Sequence, residues 1–208
     1  KIMEQGSLCG IFFVSGAGNF AQSARLPVQM RVPEDIPDVV FAAAGVQRNF
    51  QRTPFSSQGP VEWATEHYQD GTVQKPEVCA FNMGLPALLR NGEVRPVGLN
   101  GNSFAGPMFC GAISLMLSAD PDLLPWDLKV IITQTATDVA AEGIDDQTGH
   151  GLINCYRAVK EVLRRKAIRE GRDPAAYSGR EPGDEIDIAA IKTQLGSFQI
   201  EIARVVPG

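Results

Sequence analysis

Histidine is scarce in this chain. Of 208 residues only His67 and His150 are histidine, and neither sits where a general base for a neighbouring nucleophile would be expected. A complete acid–base apparatus is therefore not legible. Long apolar runs are also missing: none reaches the ~18 residues of a spanning helix, and no secretory h-region is visible. Basic residues are outnumbered, with 19 Lys and Arg against 24 Asp and Glu for a net charge of −5. That balance argues against a nucleic-acid footprint, which needs a basic face. The basic residues of 157–172 alternate with Glu161 and Glu170 and read as a solvated helix face. Cysteine is limited to Cys9, Cys79, Cys110 and Cys155, with no C-x-x-C spacing for a metal. All lie in apolar runs and read as buried free thiols, with one disulfide pair as the alternative. Free thiols lean toward a reducing, cytoplasmic compartment. Internal repeats and low-complexity tracts are absent.

What remains is ordinary for a globular core. Apolar residues make up 44% and charged residues 21%, so bulk disorder is excluded, and the length suits one domain or most of one. The start, Lys1-Ile2-Met3-Glu4, suits a processed or trimmed end. Residues 1–8 read as a helix end. Ile11-Phe12-Phe13-Val14 reads as a buried strand opening into the Gly-rich turn Ser15-Gly16-Ala17-Gly18-Asn19. Residues 21–37 read as a loop, 38–44 as a second strand, 55–60 as a turn, 61–74 as loop, and 78–81 as a third strand. The C-terminal half turns helical. Residues 103–118 carry apolar positions at helical spacing. Pro125 opens a second helix with Leu128, Ile131 and Ile132 inward. Residues 154–170 form a third, with Tyr156, Val159, Val162 and Leu163 inward and Gly171 as its stop. This order predicts an α/β fold with a mostly parallel sheet and flanking helices. Residues 1–170 read as one globular portion. Residues 171–208 form a linker and extension, whose stretch 198–206 alternates like an edge strand.

The most informative segment is Gly101-Asn102-Ser103-Phe104-Ala105-Gly106-Pro107. It sets a serine among small residues at the head of an apolar helix. Small neighbours admit a substrate backbone, and first-turn N–H groups point at a reacting carbonyl. Without that setting, Ser103 would read as a helix N-cap and Asn19 as a turn residue.

In order along the chain, these segments resemble the C-terminal half of the subtilisin-like serine proteases. Val14-Ser15-Gly16-Ala17-Gly18-Asn19 resembles the family's Ala-Ala-Gly-Asn segment, and Phe55-Ser56-Ser57-Gln58-Gly59 its Phe-Ser-Ser-x-Gly turn. Lys75-Pro76-Glu77-Val78-Cys79-Ala80 resembles Lys-Pro-Asp-x-x-Ala-Pro-Gly. Gly101 to Pro107 resembles Gly-Thr-Ser-x-Ala-x-Pro, and Thr135-Ala136-Thr137-Asp138 and Gly149-His150-Gly151 resemble the late helix end and its Gly-x-Gly turn. The resemblance implies the subtilisin-like three-layer fold and a serine endopeptidase. Ser103 would be the nucleophile and Asn19 an oxyanion donor. Gly16, Ala17, Gly18, Gly101 and Asn102 would bind substrate. Three departures stand out: Asn102 replaces the motif threonine, Phe81-Asn82 replaces Pro-Gly, and 20–37 does not follow the usual substrate wall.

The family's Asp- and His-bearing elements precede Ser15-to-Asn19 in chain order and are not in this sequence. The expectation is a half-domain, inert alone, that works with an upstream segment or separate chain supplying Asp and His. Its substrate would be a peptide or protein, with neither nucleic acid nor membrane as partner. No cofactor is required, although the family leaves room for structural calcium; Asp145-Asp146 reads as a solvated pair. His67 reads as exposed, and His150 as a turn or packing residue. Two other readings share these residues: a pseudoprotease kept as a scaffold, and an acyl transferase or macrocyclase.

Overall fold

The computed structural model describes residues 1–21, 30–63 and 71–179. Its centre is a parallel sheet ordered β1–β2–β5, from β1 (Phe13–Gly16), β2 (Val40–Val46) and β5 (Val78–Phe81). Val-Phe-Ala-Ala-Ala-Gly-Val in β2 is buried at every position, as expected where both faces of a parallel strand are covered. Phe13 registers with Val40 and Ala43 with Val78. The pleat then divides β2 between two cores. Phe41 and Ala43 face the helices, while Ala42, Ala44 and Val46 face the opposite side.

Three helices cover the first face: α2 (Asn102–Ala119), α3 (Pro125–Thr135) and α4 (Cys155–Arg169). α2 buries Ala105, Phe109, Ala112, Ile113 and Met116 against the sheet, and α3 adds Leu128, Ile131 and Ile132. Phe12 stacks on Phe41 at 4.3 Å between ring centroids. α3 starts at Pro125, which needs no N–H there, and Asp127 accepts from the Leu124 N–H at 3.2 Å. The Asn154 side chain caps α4 by accepting from the Arg157 N–H. Gly171, at φ 68°, ends it. The opposite face is covered by residues from outside this sheet and its helices, among them Phe50, Val61, Val139 and Leu152.

The expected parallel sheet with flanking helices is present, with several local corrections. Residues 61–74 are not all loop: β3 (Val61–Glu62) and β4 (Thr72–Val73) pair antiparallel. A hairpin of β6 (Leu85–Leu88) and β7 (Val94–Leu99) leads into Gly101, turning at Asn91-Gly92. Tyr156 is exposed, because the inner stripe of α4 runs through Ala158, Val162 and Ala167. Of the cysteines only Cys79 is fully buried; Cys9 and Cys110 are exposed, and all four are free. Helix α1 (Ile2–Leu8) forms as expected but buries none of its residues. The expected linker holds a short 3-10 turn, Pro174–Tyr177, against α4. The edge strand expected at 198–206 lies outside the described residues.

Candidate active site

The C-terminal end of β1 and the N-terminal end of α2 meet at one cleft. This is where ligands bind in open α/β sheets. The cleft measures about 770 Å³, and Ser15, Gly16, Gly18, Asn19, Ser103, Gly106 and Cys110 are among its lining residues. The approach of strand to helix depends on Gly16: a Cβ there would lie 2.3 Å from the Asn102 carbonyl oxygen. Gly101 precedes the helix at φ 145°, ψ 149°, a region reserved for glycine. The chain thus turns from β7 into α2 with no side chain at the corner.

Ser103 is the second residue of α2 and is exposed in the cleft. Its hydroxyl makes no hydrogen bond among the described residues. Pro107, four residues on, has no N–H to give the Ser103 carbonyl. Asn19 sits opposite. Its Oδ1 accepts the Asn102 backbone N–H at 2.8 Å. Only the carbonyl end of an amide can accept, so that bond fixes which end is which and leaves Nδ2 as the free donor. The side of Gly101 that lacks a Cβ brings the two donors together: the ideal Cβ position is 3.7 Å from Asn19 Nδ2 and 3.9 Å from Ser103 N. Two N–H donors therefore flank one spot beside an exposed hydroxyl.

Of the expected substrate-binding residues, Gly16, Gly18 and Asn102 line this cleft and Gly101 borders it. The side chains of Ala17 and Asn102 are turned inward. The Ala17 methyl is fully buried in the second core. Asn102 is 1% exposed, and its side chain points away from the cleft. Its Nδ2 donates to the Gly18 carbonyl at 2.6 Å and to Ser56 Oγ at 2.9 Å, and its Oδ1 accepts from Asn82 Nδ2 at 2.5 Å. Any contact these two make with substrate is through backbone. Asn82, Ser56, Thr53 and Gly45 form the layer beneath the site. Sequence reading marked Asn82 and Asn102 separately as departures and did not connect them.

Among the described residues, charge in the cleft is limited to Glu34, whose pKa is raised chiefly by burial. No histidine lines the cleft among the described residues. His150 belongs to the turn beside β5, where its backbone N–H donates to the Glu77 carbonyl at 2.9 Å. His67 lies outside the described residues. Asp145 does not fit a calcium ligand: Oδ1 accepts the Gln147 and Thr148 N–H groups and Oδ2 the Thr148 hydroxyl. Among the described residues no cluster of three or more His, Cys, Asp or Glu is placed to hold a metal.

Comparison with known proteins points the same way. The profile of the subtilase family matches residues 2–151. The chain is 26% identical over 159 residues to the Neisserial autotransporter lipoprotein NalP of Neisseria meningitidis serogroup B, covering 72% of this chain and 14% of that protein. It is 26% identical over 176 residues to Bacillopeptidase F of Bacillus subtilis, covering 83% of this chain and 11% of that one. The chain thus spans a small part of the relatives it matches. The solved structure of the Prenylagaramide maturation protease PagA shares its fold, with a TM-score of 0.58 at 22% identity over 77% of this chain and 54% of that chain. With the sheet, the serine-headed helix and the profile in agreement, the chain belongs to the subtilase family.

Proposed function

We propose that this chain carries the nucleophile and oxyanion hole of a serine endopeptidase, and that a further segment supplies its Asp and His. The observation that carries the reading is the Asn102 N–H bond to Asn19 Oδ1. It commits Asn19 Nδ2 to the donor role beside the Ser103 N–H. In the reaction, Ser103 Oγ bonds to the peptide carbonyl carbon while its proton passes to the histidine. The oxyanion forms between Asn19 Nδ2 and the Ser103 N–H. The C–N bond then breaks, the amine leaves with that proton, and water hydrolyses the acyl-enzyme by the same steps. Without a base the hydroxyl is a poor nucleophile, so Ser103 is inert until the histidine arrives.

Surfaces on this chain support a partnering segment. Among the described residues no strand pairs with the outer edge of β1. α1 buries nothing, and Met108 and Leu115 on α2 are exposed apolar side chains. Unpaired edges and exposed apolar faces favour association.

The test is fluorophosphonate labelling of native material, with Ser103→Ala as control and intact-mass analysis of every chain present. Labelling at Ser103 with an Asp- and His-bearing segment in the sample is the expected result. No labelling with that segment present overturns the reading in favour of a pseudoprotease scaffold.

A further inference from the structure

Two of the three departures from the family pattern form one structural unit. Asn82 stands where the resemblance expects glycine and Asn102 where it expects threonine. The structure brings them together: Asn82 Nδ2 donates to Asn102 Oδ1 at 2.5 Å and to Thr53 Oγ1 at 3.0 Å. Asn102 spends both Nδ2 hydrogens on the Gly18 carbonyl and Ser56 Oγ. The Asn82 backbone carbonyl accepts the Gly101 N–H at 2.9 Å. Asn82 thus grips residue 101 through backbone and residue 102 through side chain, and Asn102 grips the turn that carries Asn19. Gly45 makes room, since a Cβ there would lie 1.6 Å from Asn82 Nδ2 and 2.2 Å from Asn102 Oδ1.

We propose that Asn82 and Asn102 are a paired positioning device for the oxyanion hole, in which the buried amide pair aims the Asn102 N–H at Asn19 Oδ1 and so holds Asn19 Nδ2 toward the substrate oxygen. This rests on the protease reading above. A threonine at 102 offers one hydroxyl proton and cannot serve Gly18 and Ser56 together. The amide at 102 does, but it needs a donor for its own oxygen in a buried place, and Asn82 supplies it. The clamp is not simply a stability device: Asn82 Oδ1 is buried with no hydrogen-bond partner among the described residues, a net cost. Neither asparagine side chain touches substrate; both act through Asn19.

The experiment compares Asn82→Gly, Asn102→Thr and the double variant in the complete protease, meaning this chain with the segment that supplies Asp and His. Asn82→Gly takes the donor from Asn102 Oδ1, and Asn102→Thr takes the amide acceptor from one Asn82 Nδ2 hydrogen. The kcat of each single variant is expected to fall by about 10- to 100-fold, since small misplacements near reacting groups cost up to about 10²-fold, with KM within about twofold. The double variant restores both family residues and should recover kcat to within about threefold of wild type. Amide exchange is read on the same samples. Protection of the Asn102 N–H should drop roughly tenfold in Asn82→Gly, the worth of one buried hydrogen bond, while Ala43 and Cys79 in the sheet keep theirs. Equal loss at the sheet amides would mean general destabilisation and would overturn the proposal. So would additive losses in the double variant, or unchanged Asn102 protection in Asn82→Gly. If the assembled wild type is itself inactive, the protease reading fails, and the exchange data still decide the clamp.

Discussion

Replacing Lys75 by methionine should cost about 3–5 kcal/mol of folding stability, the range for stranding one partner of a buried ion pair. Lys75 is fully buried and Glu77 is 4% exposed, with Nζ 2.6 Å from Oε1. The ammonium also donates to the Val40 carbonyl, and Glu77 Oε2 accepts the Ala42 N–H at 2.7 Å. The pair therefore holds β2, the strand on which both cores rest. Burial pushes the Lys75 pKa down, and Glu77 opposes that by favouring the charged form. Methionine keeps much of the stem but leaves the Glu77 charge with the Ala42 N–H as its remaining side-chain hydrogen bond among the described residues. An internal control is Lys129–Asp38, where Asp38 is 64% exposed; exposed pairs are worth under about 1 kcal/mol, so Asp38→Asn should be nearly silent. Removing both buried charges in Lys75→Met/Glu77→Gln should recover about 1–3 kcal/mol of the single loss. Urea unfolding followed by circular dichroism, with m-values checked for constancy, gives all three differences from wild type. Lys75→Met losing no more than Asp38→Asn would refute the reasoning.

The remaining predictions concern single side chains. Asn19→Asp keeps an acceptor for the Asn102 N–H but replaces the donor with a carboxylate. The assembled enzyme should lose more kcat than Asn19→Ala, for which subtilisin's own loss of about 10²–10³ is the carried-over reference; an Asp variant as active as wild type would remove Asn19 from the oxyanion hole. Alkylation of the native chain should label exposed Cys9 and Cys110 and spare Cys79, whose thiol is buried and pushed well above its ordinary pKa; peptide mass mapping with Cys79 modified before unfolding contradicts this. Burial lowers the His150 pKa, partly offset by Glu77, so the folded state prefers the neutral ring. Stability is then full above the ordinary value of about 6.5 and is lost as pH falls through the folded value. His150→Asn should flatten that part of the stability–pH curve, and an unchanged slope rules the account out.

Legibility followed the range of the interaction. β2 was readable because both its faces are buried and its apolar run is continuous. α2 was readable from apolar spacing and a serine motif held within seven residues, 101–107. The β6–β7 hairpin was missed, although Asn91-Gly92 is a short-range hairpin signal. Its strands are short and half exposed, with Leu88 and Val94 facing solvent, so no apolar alternation announced it. Tyr156 reads as inward from its spacing to Val159, Val162 and Leu163, whereas the buried stripe through Ala158, Val162 and Ala167 turns the ring outward. Ser103 and Asn19 were legible as residue types. The bond that orients Asn19 was not, because it joins residues 83 positions apart. The Asn82–Asn102 contact failed to show for the same reason: only the folded chain puts the two substitutions side by side.

The open outer edge of β1 also bears on how this chain behaves in a test tube. Its backbone groups, unpaired among the described residues, run to Gly16 in the lining of the cleft. A bare strand edge is a template for any extended backbone, including another copy's. Two copies joined there would cover each other's serine, so self-association and loss of reagent access would arrive together. Dimer formation varies with the square of concentration. A concentrated stock of this chain alone would thus hide its serine from solution, and dilution would restore access.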